Sequence, residues 1–459
     1  MLWKVKPDYR ALSLARMMLR HRRGNVDTAI AKVPDELKSH PGLIYERFRW
    51  RRRKGKDASA LELLEKLPGG LAHPERWWVE RRALTRRALQ KGHVTDAYRI
   101  VKGHGLESGG AFAEAEWLAG WIALRFLGDD ESAMIHFQTM YQSVKYPVSI
   151  ARSTYWTARA LEAQGAPELA EMWHRIAAAY PTTYYGQLSL ARLHPGAALN
   201  LRSDPEAGED EKKAFEAHEL VRAVGMLGQA GDYDRLRPFI LHLDKMAETP
   251  GWRRLAGELA RRNQRPDLAV MVAKRAHRDG LNFPEIAFPT LLPPLMNQTS
   301  GKPPVEVPLI LAVVRQESAF NVKAKSHANA QGLMQLLPRT AFKVAKRLKV
   351  PFSRRRLTTD GVYNLTLGQA YLFELMGEFK GSLVLTLAAY NAGSGRVRRW
   401  IRNYGDPREA DTDAIDWVEM IPFKETRNYV QRVLENLQVY RRRLAKTEVA
   451  LTIENDLHK

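Results

Sequence analysis

The chain has 459 residues, room for two to four domains at roughly 100–200 residues each. Hydrophobic residues make up 45% and charged residues 27%, so most of it can bury cores, and a formal net charge of +21 points to an acid-bearing partner such as nucleic acid, an anionic membrane or an acidic polymer. The absence of cysteine excludes disulfides, thiolate metal sites and cysteine nucleophiles, and no apolar run reaches the length of about 18 that a spanning helix needs.

The N-terminal stretch "MLWKVKPDYRALSLARMMLRHRRG" is basic with a helical pattern. It lacks the apolar core and small-residue cleavage site of a signal peptide. An internal echo follows. Gly24, Gly55, Gly92, Gly128 and Gly165 each precede an alanine by five residues, at Ala29, Ala60, Ala97, Ala133 and Ala170. The glycines are 31 to 37 residues apart, the length of a helix–turn–helix unit, with Gly at the helix C-cap and Ala where the next helix packs closely. Trp77, Trp78, Trp117, Trp121 and Trp156 lie between the echoes, where inter-helix packing is the expected role. The basic segment "RFRWRRRKGK" at 47–56 comes without any nucleic-acid motif and reads as a solvated positive face.

The echo stops at "LHPGAALNLRSDPEAGEDEKKAFEAHE", a Gly/Pro-bearing and then acidic boundary. A few more helices and a proline-rich joint around 283–309 precede the last region. No segment alternates like a strand, so the fold is expected to be all-α: an N-terminal α-solenoid of helical hairpins over 1–193, a small helical linker domain over 212–282, a C-terminal domain over 286–447 and a tail over 448–459. The thirteen histidines show no metal-ligand spacing. No metal or cofactor is expected, and His327 is given no catalytic role.

The C-terminal region carries the chemistry. On a helix through "EVPLILAVVRQESAF", Ile310, Val314 and Glu317 fall at i, i+4 and i+7, so the stripe that enters the core ends in a carboxyl group. Burial raises a carboxyl pKa, and a Glu protonated near neutral pH is what a general acid requires. A Glu that snorkels at the helix end, or pairs with Arg315, is the plainer reading of that residue alone. Three later segments repeat the pattern of an apolar helix delivering polar groups. "GLMQLLP" presents Gln335, "SLVLTLAAYNAGSGRV" presents Tyr390 and Asn391, and "DWVEMIPFKETRNYVQRVLENLQVY" presents Glu419 and Glu425. An acid, a phenol, amides and apolar surface suit a carbohydrate, with its hydroxyl edges and C–H faces.

In these blocks residues 286–445 resemble the catalytic domain of the soluble lytic transglycosylases, a lysozyme-like family. "RQESAFN", "GLMQLLPRTA", "AAYNAGSGRV" and "VEMIPFKETRNYV" are similar to its four ordered motifs, with Leu337 where Met is common. The helical front half is similar to the superhelical region of large periplasmic members. The resemblance implies a lysozyme-like fold for this domain and cleavage of the MurNAc-β-1,4-GlcNAc bond of peptidoglycan. It implies Glu317 as the acid/base, with Ser318, Gln335, Tyr390, Asn391 and Glu425 holding substrate or Glu317. It also implies a periplasmic location, peptidoglycan glycan strands as the partner at the cell envelope, no nucleic acid and no cofactor. Which cell-wall enzymes act beside it stays open. The product expected is a 1,6-anhydromuramyl end formed without water. Two other readings stand beside it: a hydrolytic goose-type lysozyme relative, and a non-catalytic cell-wall-binding scaffold.

Overall fold

A computed structural model describes residues 6–65, 67, 73–290 and 305–458. Every regular element among them is helical, apart from three isolated bridges. No described helix is long and apolar enough to cross a membrane. Contacts divide the chain into two compact units, residues 1–144 with 156–170 and residues 145–155 with 171–459. The echoing region and the last helices thus fall in different units, with the division earlier than the expected residue 193.

The first unit is built on the echo. Gly55, Gly92, Gly128 and Gly165 take φ of +74°, +76°, +67° and +73°, the left-handed region in which glycine meets no Cβ penalty. The next amide then closes the helix end: Lys56 donates to the Arg51 carbonyl at 2.9 Å, His93 to Ala88 at 2.9 Å and Ala166 to Leu161 at 3.0 Å, the six-to-one bond of a Schellman cap. Gly24 departs from the pattern. There Arg22 takes the left-handed turn, with φ of +54°, and Arg23 donates to Met18. The five echoed alanines are all buried, which lets successive helices approach closely. The five tryptophans are buried too. Trp77 stacks on Phe48, and Trp117 stacks on Trp121 and meets Trp156 edge-on.

The segment 47–56 is not the solvated face that its sequence suggests. Arg49 donates to buried Glu80 at 3.2 Å, Arg52 reaches the other Glu80 oxygen and Arg53 lies 3.8 Å away. Only Lys54, Gly55 and Lys56 of this run are exposed. A buried carboxylate needs compensating charge, and the arginines supply it.

In the second unit the helix Val307–Ser318 packs along Lys424–Leu444, which also packs on Leu383–Ala392. The run Leu309–Val314 is buried on every side, and Tyr429, Val430, Val433, Leu434, Leu437 and Tyr440 line the long helix opposite. Such burial, at about 25 cal/mol per Å² of apolar surface, fixes the two helices in register. The acidic boundary is structured: Glu209–Ala217 is a helix, and buried Asp204 accepts amides from Glu285 at 2.8 Å and Ile286 at 3.1 Å. Much of the proline-rich joint, residues 291–304, lies outside the described residues. Residues 448–459 are more than a tail. Ile453–His458 is a helix with buried Ile453, Asp456 and Leu457, and Arg441 of the long helix binds both Asp456 and Glu306.

Candidate active site

Glu317 stands where its helix is forced to stop. Ala319 and Phe320 both adopt left-handed backbone, φ +50° and +69°, at a cost of roughly 1–2 kcal/mol for each L residue. Burial of Phe320 holds the turn. The chain reverses immediately after Ser318, leaving Glu317 on the last helical turn. Strain of this kind collects at functional sites because the surrounding fold must over-determine it.

The neighbouring cation does not neutralise this carboxyl. Arg315 donates to the Ala287 carbonyl at 2.8 Å and to Asn436 Oδ1 at 2.6 Å, and lies 3.8 Å over the Phe288 ring. Part of the Glu317 surface stays open, yet protein surrounds the carboxyl closely, and desolvation pushes its pKa up to about 8. The Tyr429 hydroxyl opposes that rise through its interaction with the carboxyl, and the nearby Glu425 charge adds to it. Tyr429 is buried and its hydroxyl completes no hydrogen bond of good geometry. It sits close enough to Glu317 to bias its proton, short of a fully formed bond. Glu317 therefore keeps its proton at neutral pH.

Two tyrosines frame the acid. Tyr390 and Tyr429 lie parallel, 2° apart, with centroids at 6.4 Å. The Tyr390 hydroxyl donates to the Met334 carbonyl at 2.8 Å, and burial together with the Glu317 charge raises its pKa well above the phenol value. Tyr390 thus acts as a neutral strut between the helix Leu383–Ala392 and the loop after Glu317.

That loop is organised by Asn364, fully buried on the helix Gly361–Glu378. Its Oδ1 accepts from Met334 N at 2.8 Å, and its Nδ2 donates to the Gln331 and Leu357 carbonyls at 2.9 and 3.0 Å. Gly332, at φ +78°, passes so close that a Cβ would collide with the Leu357 carbonyl and the Asn364 amide. Gln335, itself left-handed at φ +46°, donates its Nε2 to Ala324 and Gly332 carbonyls at 3.1 and 2.9 Å, which leaves its Oε1 as the acceptor end. Ser318 donates back to the Val314 carbonyl at 3.2 Å. Asn391 accepts at Oδ1 from Thr426 at 2.6 Å, so its NH₂ is the end turned to other partners.

Of the expected site residues, Tyr390 and Glu425 stand near enough to Glu317 to feel its charge or shift it. Gln335 belongs to the loop that Tyr390 pins, and Asn391 is tied to the start of the long helix that carries Glu425. Glu425 is exposed in the first turn. Glu419, the other acid of the fourth block, is wholly buried elsewhere. It binds Arg152 at 3.0 Å, Arg427 at 3.4 Å, Gln431 at 2.8 Å and the Tyr185 hydroxyl, so it is an anchor. Tyr429 and Asn364 are the residues that sequence reading passed over. Tyr429 lies one turn after Glu425 on the long helix, and only packing turns its hydroxyl toward Glu317.

The second unit, helical among its described residues apart from isolated bridges, thus sets a protonated glutamate at a helix end beside two tyrosines and an amide-rich loop. Residues 294–412 match the Transglycosylase SLT domain family, and residues 420–448 match the Soluble lytic transglycosylase helical domain. Similar curated proteins include a putative soluble lytic murein transglycosylase of Haemophilus influenzae, 32% identical over 55% of this chain and 41% of its own length. Another is the soluble lytic murein transglycosylase of Escherichia coli, 42% identical over 31% of this chain and 22% of its own length. The matched segments thus span under half of these relatives. Among solved structures, an inactive mutant of lytic transglycosylase Slt from Pseudomonas aeruginosa shares the fold at TM-score 0.70 and 24% identity, over 95% of this chain and 71% of that one. The 70 kDa soluble lytic transglycosylase of Escherichia coli follows at TM-score 0.54 and 22% identity, over 96% and 79%. The C-terminal part of the chain is accordingly similar to the Transglycosylase SLT domain of soluble lytic transglycosylases.

Proposed function

We propose that this protein is a peptidoglycan lytic transglycosylase of the periplasm that cleaves the MurNAc-β-1,4-GlcNAc bond with Glu317 as its single acid/base. The observation that carries the reading is Glu317 itself: a carboxyl held protonated at neutral pH, with its neighbouring arginine engaged elsewhere. The similarity to lytic transglycosylases supports the substrate class. Glu317 first gives its proton to the leaving glycosidic oxygen as the C1–O bond breaks. The resulting carboxylate then takes the proton of the muramic acid 6-hydroxyl, whose oxygen bonds to C1. The proton passes from one oxygen to the other, and no water is consumed.

A retaining or inverting glycosidase needs a second carboxyl flanking the bond. Glu419 is enclosed by its ion pairs, which leaves Glu425 as the remaining acid of that block. A nucleophile already tethered to the sugar has a large proximity advantage over water, which favours the intramolecular route over the hydrolytic alternative. Glu425 then serves to keep Glu317 protonated and to hold substrate, with Ser318, Gln335, Tyr390 and Asn391 as further contacts. Gln335 offers an acceptor and Asn391 a donor, a complementary pair for hydroxyl and acetamido groups. The test is solubilisation of purified sacculi: the wild-type chain should release soluble fragments, and Glu317→Gln should bind sacculi without releasing any. Equal release by the variant would refute Glu317 as the acid.

A further inference from the structure

The first unit holds a cavity of about 290 Å³ near its N-terminal end, walled by Leu19, Val26, Ile30 and Ala31 on its apolar side and by Lys38, Arg47, Trp50 and Arg51 on the other, with Asp27 at its edge. The polar wall has donors to offer. Arg47 is half-buried and forms no hydrogen bond or ion pair among the described residues. Partial burial lowers its pKa, the like charge of Arg51 adds to that, and Asp27 opposes it. Arg51 uses one nitrogen on the Ser59 carbonyl at 2.5 Å, and a guanidinium has further N–H groups to give. Trp50 contributes its ring to the wall, while its indole N–H is enclosed by protein. Lys38 is already paired with Asp35 at 2.6 Å. Elsewhere in this basic segment Arg49, Arg52 and Arg53 surround Glu80, so the cavity pair stands apart from the arginines needed for folding.

A guanidinium partly withdrawn from water and without a bond of its own is open to an acceptor in the cavity. Planar carboxylates match the fork of an arginine, and the apolar side asks for a short aliphatic body. We propose that this cavity binds a carboxylate on a small aliphatic residue, with Arg47 as its principal partner. The proposal does not depend on the catalytic reading, because every residue in it belongs to the first unit.

The test is calorimetric titration of the full chain with N-acetylalanine, N-acetylalanine amide and acetate. N-acetylalanine should bind saturably, and the amide, lacking the carboxylate, should bind about tenfold more weakly or worse. Arg47→Met, which removes no existing bond and keeps the aliphatic stem, should cause a similar loss without changing the unfolding temperature. Ala31→Trp should block the cavity outright. Preference for N-acetylalanine over acetate assigns the site to the end of a peptide; equal binding assigns it to free short acids. Absence of saturable binding, equal binding of the amide, or binding unaltered by both variants would overturn the proposal.

Discussion

The acidity of Glu317 is set by three influences that differ in sign, and each can be moved separately. Desolvation raises its pKa, Glu425 raises it further and Tyr429 lowers it, with the result near 8. Since catalysis needs the protonated acid, kcat/KM should fall as pH rises through about 8. Glu425→Gln removes a raising charge and should bring that limb to lower pH. Tyr429→Phe removes a lowering contact and should move it higher. Rate profiles of the three proteins on a soluble glycan check both shifts; a limb that moves the same way in both variants would refute the assignment. Stability follows the same proton. The folded-state pKa is raised above the unfolded value, so the contribution is whole below about 4.5 and is lost as pH climbs to about 8. Glu317→Gln should accordingly match the wild type in acid and exceed it in unfolding temperature at pH 8 and above.

At the scale of elements, buried polar anchors hold the long helix Lys424–Leu444 in place. Glu419→Gln leaves Arg152 and Arg427 short of a buried counter-charge, a change worth on the order of 3–5 kcal/mol. Denaturant unfolding should show that loss, while the pH limb set by Glu317 stays where it was. Ending the chain after Thr447 removes Ile453 and Leu457 from the core and Asp456 from Arg441. At about 1.5–3 kcal/mol for each buried aliphatic side chain, the second unit should unfold at markedly lower denaturant. An unchanged midpoint would return these residues to the status of a tail. The helix that carries Glu317 was legible in its 3.6-residue apolar stripe, whereas the carboxyl drew attention only through the three later blocks taken with it. The role of residues 453–458 was not, because a six-residue helix carries too short a period to read.

For the whole molecule, the repeat and the four blocks were legible in the sequence, while the two compact units part between residues 144 and 171. The Gly–Ala echo runs to Ala170, and helices after it resemble their predecessors in pattern, so nothing local marks the change. Partners distant in sequence decide it. Tyr184 N and Gln187 bond Glu435 at 2.7 and 3.1 Å, and Tyr185 reaches Glu419. The basic run 47–56 misled for a related reason: Glu80, which neutralises it, lies about thirty residues away. A fragment starting near residue 283 lacks Tyr184, Tyr185 and Gln187, and should unfold at lower denaturant than one starting at residue 171. Equal midpoints would show that these contacts contribute nothing.

Mass spectrometry of sacculus digests made in ¹⁸O-water separates one carboxyl with an internal nucleophile from attack by water. The fragments should end in 1,6-anhydromuramic acid, two hydrogens and one oxygen lighter than the hydrolytic product and free of ¹⁸O. Reducing-end muramic acid carrying ¹⁸O as the main product would contradict it and make the protein a hydrolase.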